Sequence, residues 1–195
     1  HPQKYTNAVR NGIPKNGFTC LDADTDKETF LSPGSAGALW RAVGGAIKAV
    51  DMVLDGEVTN AFVAMRPPGH HAEKTLPMGF CVFGNIAIAA KHALEVHRLS
   101  RVAVVDFDVH HGNGTQALLQ DDPRVLFITS QQMPLWPGTG LASDRGPHQT
   151  VLNIPLAPGT DGTHALKEYQ CKALPALNNF QPDLILISAG FDAHQ

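Results

Sequence analysis

Short apolar runs alternate along the chain with segments in which apolar residues recur every three or four positions. The runs are typical of strands, and they cover residues 61–65, 101–108, 124–130, 151–155 and 183–190. Helical spacing is found over 81–97, near 115–120 and near 163–179. Strands alternating with helices predict right-handed crossovers and a parallel sheet, and runs such as VAVV and LILI predict burial on both faces. The pattern therefore predicts an α/β fold with three layers, α/β/α, around a mainly parallel sheet.

The chain before residue 61 contains one further predicted helix. Residues 1–34 are rich in Asn, Gly, Pro, Asp and Thr without periodicity, and we expect surface loops there. Beyond them, five apolar residues follow helical spacing: Leu39, Val43, Ile47, Val50 and Leu54. Ser35 is a candidate N-terminal cap, and Gly56 is a candidate end. The segment therefore predicts a helix over 35–56 that packs against another element.

Composition narrows the class of protein. The 195 residues are 43% hydrophobic and 17% charged, with a formal net charge of -3, which is ordinary for one globular domain and gives no basic surface for direct nucleic-acid binding. Cys20, Cys81 and Cys171 form no CxxC pair, so we expect no disulfide framework and a reducing, cytoplasmic location. No stretch approaches the roughly 18 apolar residues of a membrane span, and the N-terminus lacks the apolar core of a signal peptide.

The stretch VVDFDVHHGNGT, residues 104–115, places four ionisable side chains where a buried strand should end. Leaving such groups without partners costs several kcal/mol, so a cation or a hydrogen-bond network is expected. Asp108 and His110 form an Asp-x-His pair, and Asp192 follows the last predicted strand. Together they would make a mixed nitrogen and oxygen site suited to zinc, with an open position for water. The alternative is that the aspartates are helix caps or loop acids and His110 is a hydrogen-bonded core histidine.

A second cluster, RPPGHH, ends in His70 and His71 after a predicted strand and two prolines. Neighbouring imidazoles can divide general base and general acid work when each is oriented by a partner. Asp106 could orient one histidine and Asn113 the other. The alternative is a solvated histidine pair, or one that binds metal adventitiously. His111 has no assigned role, and we interpret it as structural.

Glycines beside two aromatic residues indicate a further site. Gly79 and Phe80 open the segment GFCVFGN, and Trp136 belongs to PLWPGTG in the long loop 131–150. Glycine lets backbone approach a ligand closely, and two rings flanking a slot would hold an aliphatic stem such as that of lysine. Long ordered loops in α/β domains are usually functional. The alternative is an ordinary aromatic core with glycine turns.

Five motifs carry a resemblance, in the order RPPGHH, MGFC, DFDVHHGNGTQ, PGTG and SAGFDAH. They resemble the zinc-dependent histone deacetylase superfamily, and DVHHGNGTQ with GFDAH is most similar to its class II and bacterial acetylpolyamine amidohydrolase branch. The resemblance runs from about Phe30 onward. It implies an arginase/deacetylase-like fold, and we expect residues 1–195 to be a partial catalytic domain that continues at both ends.

The resemblance also implies roles for individual residues. The zinc ligands would be Asp108, His110 and Asp192. The catalytic residues would be the tandem histidines and their partners, His70 with Asp106 and His71 with Asn113. The walls of an acyl-lysine tunnel would be Gly79, Phe80 and Trp136. A structural potassium ion would be held by Asp106, Ser130 and the backbone carbonyls of Asp108 and His110.

One catalytic residue of the family has no counterpart among the motifs of this sequence. Family members polarise the substrate carbonyl with a tyrosine, or in some relatives a histidine, from a later glycine-rich segment, and neither Tyr5 nor Tyr169 lies in a matching motif. We therefore expect zinc-dependent removal of an acetyl or short acyl group from an acylated lysine or polyamine, weak or absent in this stretch alone. Two alternatives are hydrolysis of another small amide and a catalytically impaired acyl-lysine binding module. No membrane partner is expected.

Overall fold

The computed structural model describes residues 1–23 and 25–192. The elements follow the chain in this order: α1 (Gln3–Asn11), β1 (Thr19–Cys20), β2 (Phe30–Leu31), α2 (Ser35–Leu54), α3 (Asn85–Glu95), β3 (Val102–Asp106), α4 (Asn113–Leu119), β4 (Val125–Gln132), β5 (Val151–Leu156), α5 (Gly162–Glu168), a π-helical turn (Tyr169–Ala173), α6 (Leu174–Phe180) and β6 (Leu184–Ser188). Among the described helices, none combines the length and apolar character that crossing a bilayer requires.

The main sheet contains four parallel strands in the order β5-β4-β3-β6. Its register aligns the last residue of β3, Asp106, with Thr129 of β4 and with Ser188, the last residue of β6. The neighbouring strands β3 and β6 therefore end at the same edge of the sheet. The four strands confirm the predicted runs over 101–108, 124–130, 151–155 and 183–190; β3 and β6 are shorter than predicted, whereas β4 and β5 continue past the predicted C-terminal end.

Helices cover both faces of the sheet. On one face, Val102, Val104 and Phe127 pack against α2, α3 and α4. On the other face, Val105 and Ile128 pack against the π-helical turn and α6. Successive strand residues point to opposite faces, and β3 is buried at every position. The structure thus confirms the three-layer α/β/α prediction and explains why the VAVV run is apolar throughout.

The prediction of loops over residues 1–34 is wrong at its start, where α1 forms. Tyr5 and Val9, one helical turn apart, are buried against Val82 and Phe83. The Tyr5 hydroxyl donates to the Val82 carbonyl at 2.7 Å. The rest of this helix is mostly polar, so its apolar stripe is too narrow to stand out in the sequence. Packing against residues about 77 positions away supplies the stability that local periodicity does not indicate.

The strand predicted over 61–65 is also wrong. This segment has no regular secondary structure and pairs with none of the strands in the described ranges, and Phe62 is 79% exposed. An apolar run becomes a strand only when another strand satisfies its backbone groups. Here the segment lines a cavity instead.

Several predicted helix ends need correction. The helix over 81–97 begins later, at Asn85, because Cys81 pairs with Met78 through the backbone. Gly34, not Ser35, occupies the N-cap of α2, and the Ser35 hydroxyl accepts the Ser32 amide instead. The helix near 163–179 is interrupted by the π-helical turn, which precedes Pro175. Proline cannot donate a helical hydrogen bond, so an irregular turn before it is expected.

Asp122 should stabilise the fold in a pH-dependent manner. Its carboxylate accepts hydrogen bonds from Arg124 and, at 2.7 Å, from Lys91 of α3. The Arg124 hydrogen bond, with that of Lys91, holds the pKa of this carboxyl well below its ordinary range. We expect Asp122→Asn to lower the free energy of unfolding by about 1 to 3 kcal/mol at pH 7, measured by urea denaturation.

The pH dependence follows from the direction of this shift. A carboxyl with a lowered folded-state pKa contributes stability above its unfolded pKa of about 3.9, and the contribution is lost as pH falls through the folded value. The difference between native and Asp122→Asn proteins should therefore shrink from about pH 4 toward about pH 2. Asp121→Asn is the control, because Asp121 pairs with Lys74 on the exposed surface. An equal effect of both substitutions would contradict the prediction.

Candidate active site and metal centre

One cavity of about 970 Å³ lies at the carboxyl ends of β3 and β6. It brings together residues from the separate sequence motifs: His70, His71, Gly79, Phe80, Asp108, His110, Trp136 and Asp192. In parallel α/β sheets, sites form where strands end and loops begin. Asp106 and Asn113 do not line the cavity but contact His70 and His71, respectively. Ala193 and His194 of the SAGFDAH motif lie outside the described residues.

Asp108, His110 and Asp192 converge on one point of the cavity. The Nδ1 atom of His110 is 3.1 Å from Asp108 Oδ1 and 2.9 Å from Asp192 Oδ2. The three donor atoms lie within 4.8 Å of one another. Asp108 follows β3 and Asp192 follows β6, so the alignment of these strand ends brings the carboxylates together. The donor set fits a divalent metal with an open position toward the cavity.

The electrostatics of Asp108 agree with a cation site. Burial raises the pKa of its carboxyl above the ordinary value, despite the opposing effect of His70. A bound cation would relieve that cost. Gly190 makes the close approach possible, because a Cβ on this residue would lie 1.8 Å from Asp108 Oδ2. The need for glycine at position 190 was not predicted from the sequence, although Gly190 belongs to the SAGF motif.

His70 is held by the buried carboxylate of Asp106, as predicted. Its Nδ1 atom lies 3.0 Å from Asp106 Oδ2, and Asp106 Oδ1 also accepts the Asp108 amide at 3.1 Å. Burial lowers the pKa of His70, but the hydrogen bond and charge of Asp106 outweigh it and give a net rise. The protonated form of His70 is therefore favoured relative to a free imidazole.

His71 has the opposite electrostatic character. Its Nδ1 atom lies 2.8 Å from Asn113 Oδ1, and Asn113 Nδ2 donates to Glu73 Oε1 at 2.8 Å. Because Glu73 receives the amide NH₂, the amide oxygen faces His71 and must accept from Nδ1–H. Burial and the nearby His70 lower the pKa of His71 to about 3. His71 is thus neutral near pH 7, with Nε2 free to accept a proton.

Glu73 is a site residue that sequence reasoning missed. It lies two positions after His71 and makes its contact through Asn113, 40 positions away. Nothing in the composition of HHAEK distinguishes this glutamate from a solvated surface acid. Only the folded contact shows that it orients the amide that orients His71.

Gly79, Phe80 and Trp136 meet at the same cavity wall. The Trp136 ring lies 4.6 Å from the His71 ring in an edge-to-face arrangement. Gly79 has a φ of 55°, and a Cβ there would lie 2.5 Å from His71 Cδ2 and 2.7 Å from Trp136 Cη2. Phe80 also lines the cavity and is 53% exposed. The lining of the cavity therefore includes aromatic residues that the sequence separates by more than fifty positions.

His111 is buried away from the cavity lining, in agreement with its structural interpretation. Its Nδ1 atom contacts the Thr139 hydroxyl at 2.7 Å, and Nε2 contacts Gln116 Oε1 at 3.1 Å. Gln131 donates to the Gly140 carbonyl beside it at 2.6 Å. These contacts attach the loop that carries Trp136 to α4 and β4.

The predicted potassium site stays a prediction. Ser130 Oγ lies 2.8 Å from the Tyr169 hydroxyl, and Asp106 is already engaged by His70 and the Asp108 amide. These contacts neither assemble the four proposed ligands nor test whether an ion binds. Zinc is a different case, because its three proposed ligands do converge.

Comparisons with known proteins identify the family and the fold. The profile of the family described as Histone deacetylase domain matches residues 1–195. The chain is 42% identical to histone deacetylase 14, chloroplastic, of Arabidopsis thaliana over 93% of this chain and 43% of the relative. It is 43% identical to the histone deacetylase-like amidohydrolase of Pseudomonas aeruginosa over 100% of this chain and 51% of the relative. The crystal structure of the HDA15 HD domain matches with a TM-score of 0.92 and 34% identity, covering 100% of this chain and 56% of that one.

The chain spans about half the length of these relatives. The structural match confirms the deacetylase-like α/β fold, and it extends along the whole chain. Because the family profile also covers every residue, the chain belongs to the histone deacetylase family.

Proposed function

We propose that this protein is a zinc-dependent deacylase that removes an acetyl or short acyl group from an acylated lysine or polyamine. The observation that carries the proposal is the position of the Asp108, His110 and Asp192 cluster beside two histidines of opposite electrostatic character in one cavity. Membership of a family with deacetylase and amidohydrolase names supports the same reaction class. We place the reaction in the cytoplasm, because cysteine usage favours a reducing compartment.

His71 and His70 each carry out one of the two proton transfers of the proposed reaction. Asp108, His110 and Asp192 would hold the zinc ion, which would supply Lewis acidity and lower the pKa of a water molecule. His71 Nε2 accepts a proton from the attacking water, since Nδ1 is committed to Asn113. His70, whose raised pKa favours the protonated form, gives a proton to the departing amine. Asp106 keeps that imidazole oriented through the transfer.

The cavity wall supports an extended aliphatic substrate. Phe80 and Trp136 offer apolar surface, and the lack of a side chain at Gly79 lets His71 and Trp136 pack closely against its backbone. An acylated amine on a narrow methylene chain would reach the metal cluster past these residues, whereas a branched or bulky amine would contact the rings. Acyl-lysine and acylated polyamines both present a neutral amide at the end of a flexible aliphatic chain.

Turnover by the full-length protein tests the proposal. Incubation of the zinc-loaded protein with an acetyl-lysine peptide and, separately, with an acetylated polyamine should release acetate. Removal of metal with a chelator should stop the release, and added zinc should restore it. If the zinc-loaded protein binds the peptide in calorimetry but releases no acetate from either substrate, it is an acyl-lysine binding module instead.

Glu73 should act as a positioning residue for His71. We expect Glu73→Ala to lower kcat about tenfold, the equivalent of one hydrogen bond, because the Asn113 amide loses the partner that orients it. KM should change little, and the acid limb of the kcat profile should shift. Lys74→Ala is the matched control, since Lys74 pairs with Asp121 on the surface. Equal pH profiles for native and Glu73→Ala proteins would argue for a merely structural role.

A further inference from the structure

Asp51, His92 and His97 form a second cluster of metal-ligating side chains, which the proposed reaction does not use. Asp51 lies in the last turn of α2, His92 in the last turn of α3, and His97 in the connection from α3 to β3. The Nε2 atom of His92 is 2.6 Å from Asp51 Oδ1, and that of His97 is 2.8 Å from the same oxygen. The three donor atoms lie within 4.8 Å of one another.

This cluster lies at the end of α3 that is distant from the catalytic cavity. The first residue of α3, Asn85, donates to the Pro67 carbonyl, close to His70. His92 is seven residues further along the helix, which is about 10 Å. His97 precedes Val102, where β3 begins at the amino edge of the sheet. An ion bound here would therefore be separate from the Asp108 cluster.

The donor chemistry points to a transition metal. Two imidazoles and one carboxylate suit Zn²⁺, whereas Ca²⁺ and Mg²⁺ prefer oxygen ligands alone. Ligands of tetrahedral zinc lie roughly 3.3 Å apart when bonds are about 2.0 Å, so small side-chain movements would open the observed cluster around an ion. The side chains of His92, His97 and Asp51 are 18%, 19% and 30% exposed. An ion can therefore enter, and water can complete its coordination.

We propose that Asp51, His92 and His97 bind one Zn²⁺ in a structural site distinct from the catalytic centre. The ion connects α2 to α3 and to the connection that leads into β3, through residues 41 and 46 positions apart. A metal that binds the folded chain stabilises it by mass action. The competing arrangement is a hydrogen-bonded triad, in which both imidazoles donate to Asp51 and no ion is needed.

Zinc binding by the full-length protein distinguishes these arrangements. After equilibration with zinc, we expect two ions per chain in the native protein, one in His97→Gln and one in Asp108→Ala. In the Asp108→Ala background, added zinc should raise Tm by about 5 °C. That rise should be lost when His97→Gln is added to Asp108→Ala. Co²⁺ bound at the Asp51 cluster should give visible absorption in Asp108→Ala, and this absorption should be absent from the double variant.

His164→Gln is the matched control. His164 also lies near an aspartate, Asp161, at 3.9 Å, but both side chains are more than two thirds exposed, and the described residues add no third ligand. This variant should bind as much zinc as the native protein. A folded His97→Gln protein with undiminished zinc content overturns the proposal in favour of the triad, whatever the occupancy of the Asp108 cluster. If Asp108→Ala does not fold, native protein compared with His97→Gln and His92→Gln decides the matter.

Discussion

Substitution of Asp108 by alanine is expected to remove the catalytic metal and to lower the rate of deacylation by at least about 10³-fold. The carboxylate would provide one of three protein ligands, and its Oδ1 atom lies 3.1 Å from His110 Nδ1. A metal that acts as a Lewis acid contributes several kcal/mol to transition-state stabilisation, which corresponds to about 10³-fold in rate. Elemental analysis and acetate release by the full-length protein measure the two effects.

Asp26→Ala is the matched control for metal content. Asp26 presents a carboxylate to the same cavity but does not belong to the converging cluster. The Asp108→Ala variant should lose only the catalytic equivalent of zinc, while Asp26→Ala should keep the native content. Zinc content unaltered by Asp108→Ala in a folded protein would contradict the assignment of the metal centre.

Substitution of His71 by alanine is expected to lower kcat by about 10² to 10⁴, the usual contribution of a positioned general base. Zinc content should not change, because His71 is not one of the three converging ligands. KM should change little, since Trp136, Phe80 and Gly79 still form the cavity wall. Steady-state kinetics over a pH series separate loss of proton transfer from loss of binding.

His148→Ala is a suitable control for the loss of one imidazole. His148 is exposed in the same loop that carries Trp136, so its removal should leave kcat unaltered. Added imidazole should partly restore the rate of His71→Ala if the missing group is a proton acceptor. Equal turnover by native and His71→Ala proteins would exclude the proposed role.

The residues that line the cavity could be predicted because most of them lie in short motifs. Asp108 and His110 are separated by one residue, and His70 and His71 are adjacent. The parallel sheet could be predicted from its apolar runs, and it places the carboxyl ends of β3 and β6 side by side. The convergence of Asp192 on Asp108 then follows from the topology of parallel strands.

Predictions failed where an element depends on a distant partner. The polar helix α1 forms around Tyr5 and Val9, which pack on residues far along the chain. The apolar segment 61–65 finds no partner strand in the described ranges. In both cases local composition indicates the wrong state, because burial and backbone pairing decide the outcome.

The sequence by itself determined the alternation of strands and helices, the residue types at the strand ends and membership of one family. Tertiary structure alone decided that Glu73 orients Asn113, and that His70 has a raised pKa while His71 has a lowered one. It also brought Asp51 together with two histidines. The physical reason is range: hydrophobic periodicity is a local property of the chain, whereas desolvation, charge and hydrogen-bond partners depend on which distant residues the fold makes neighbours.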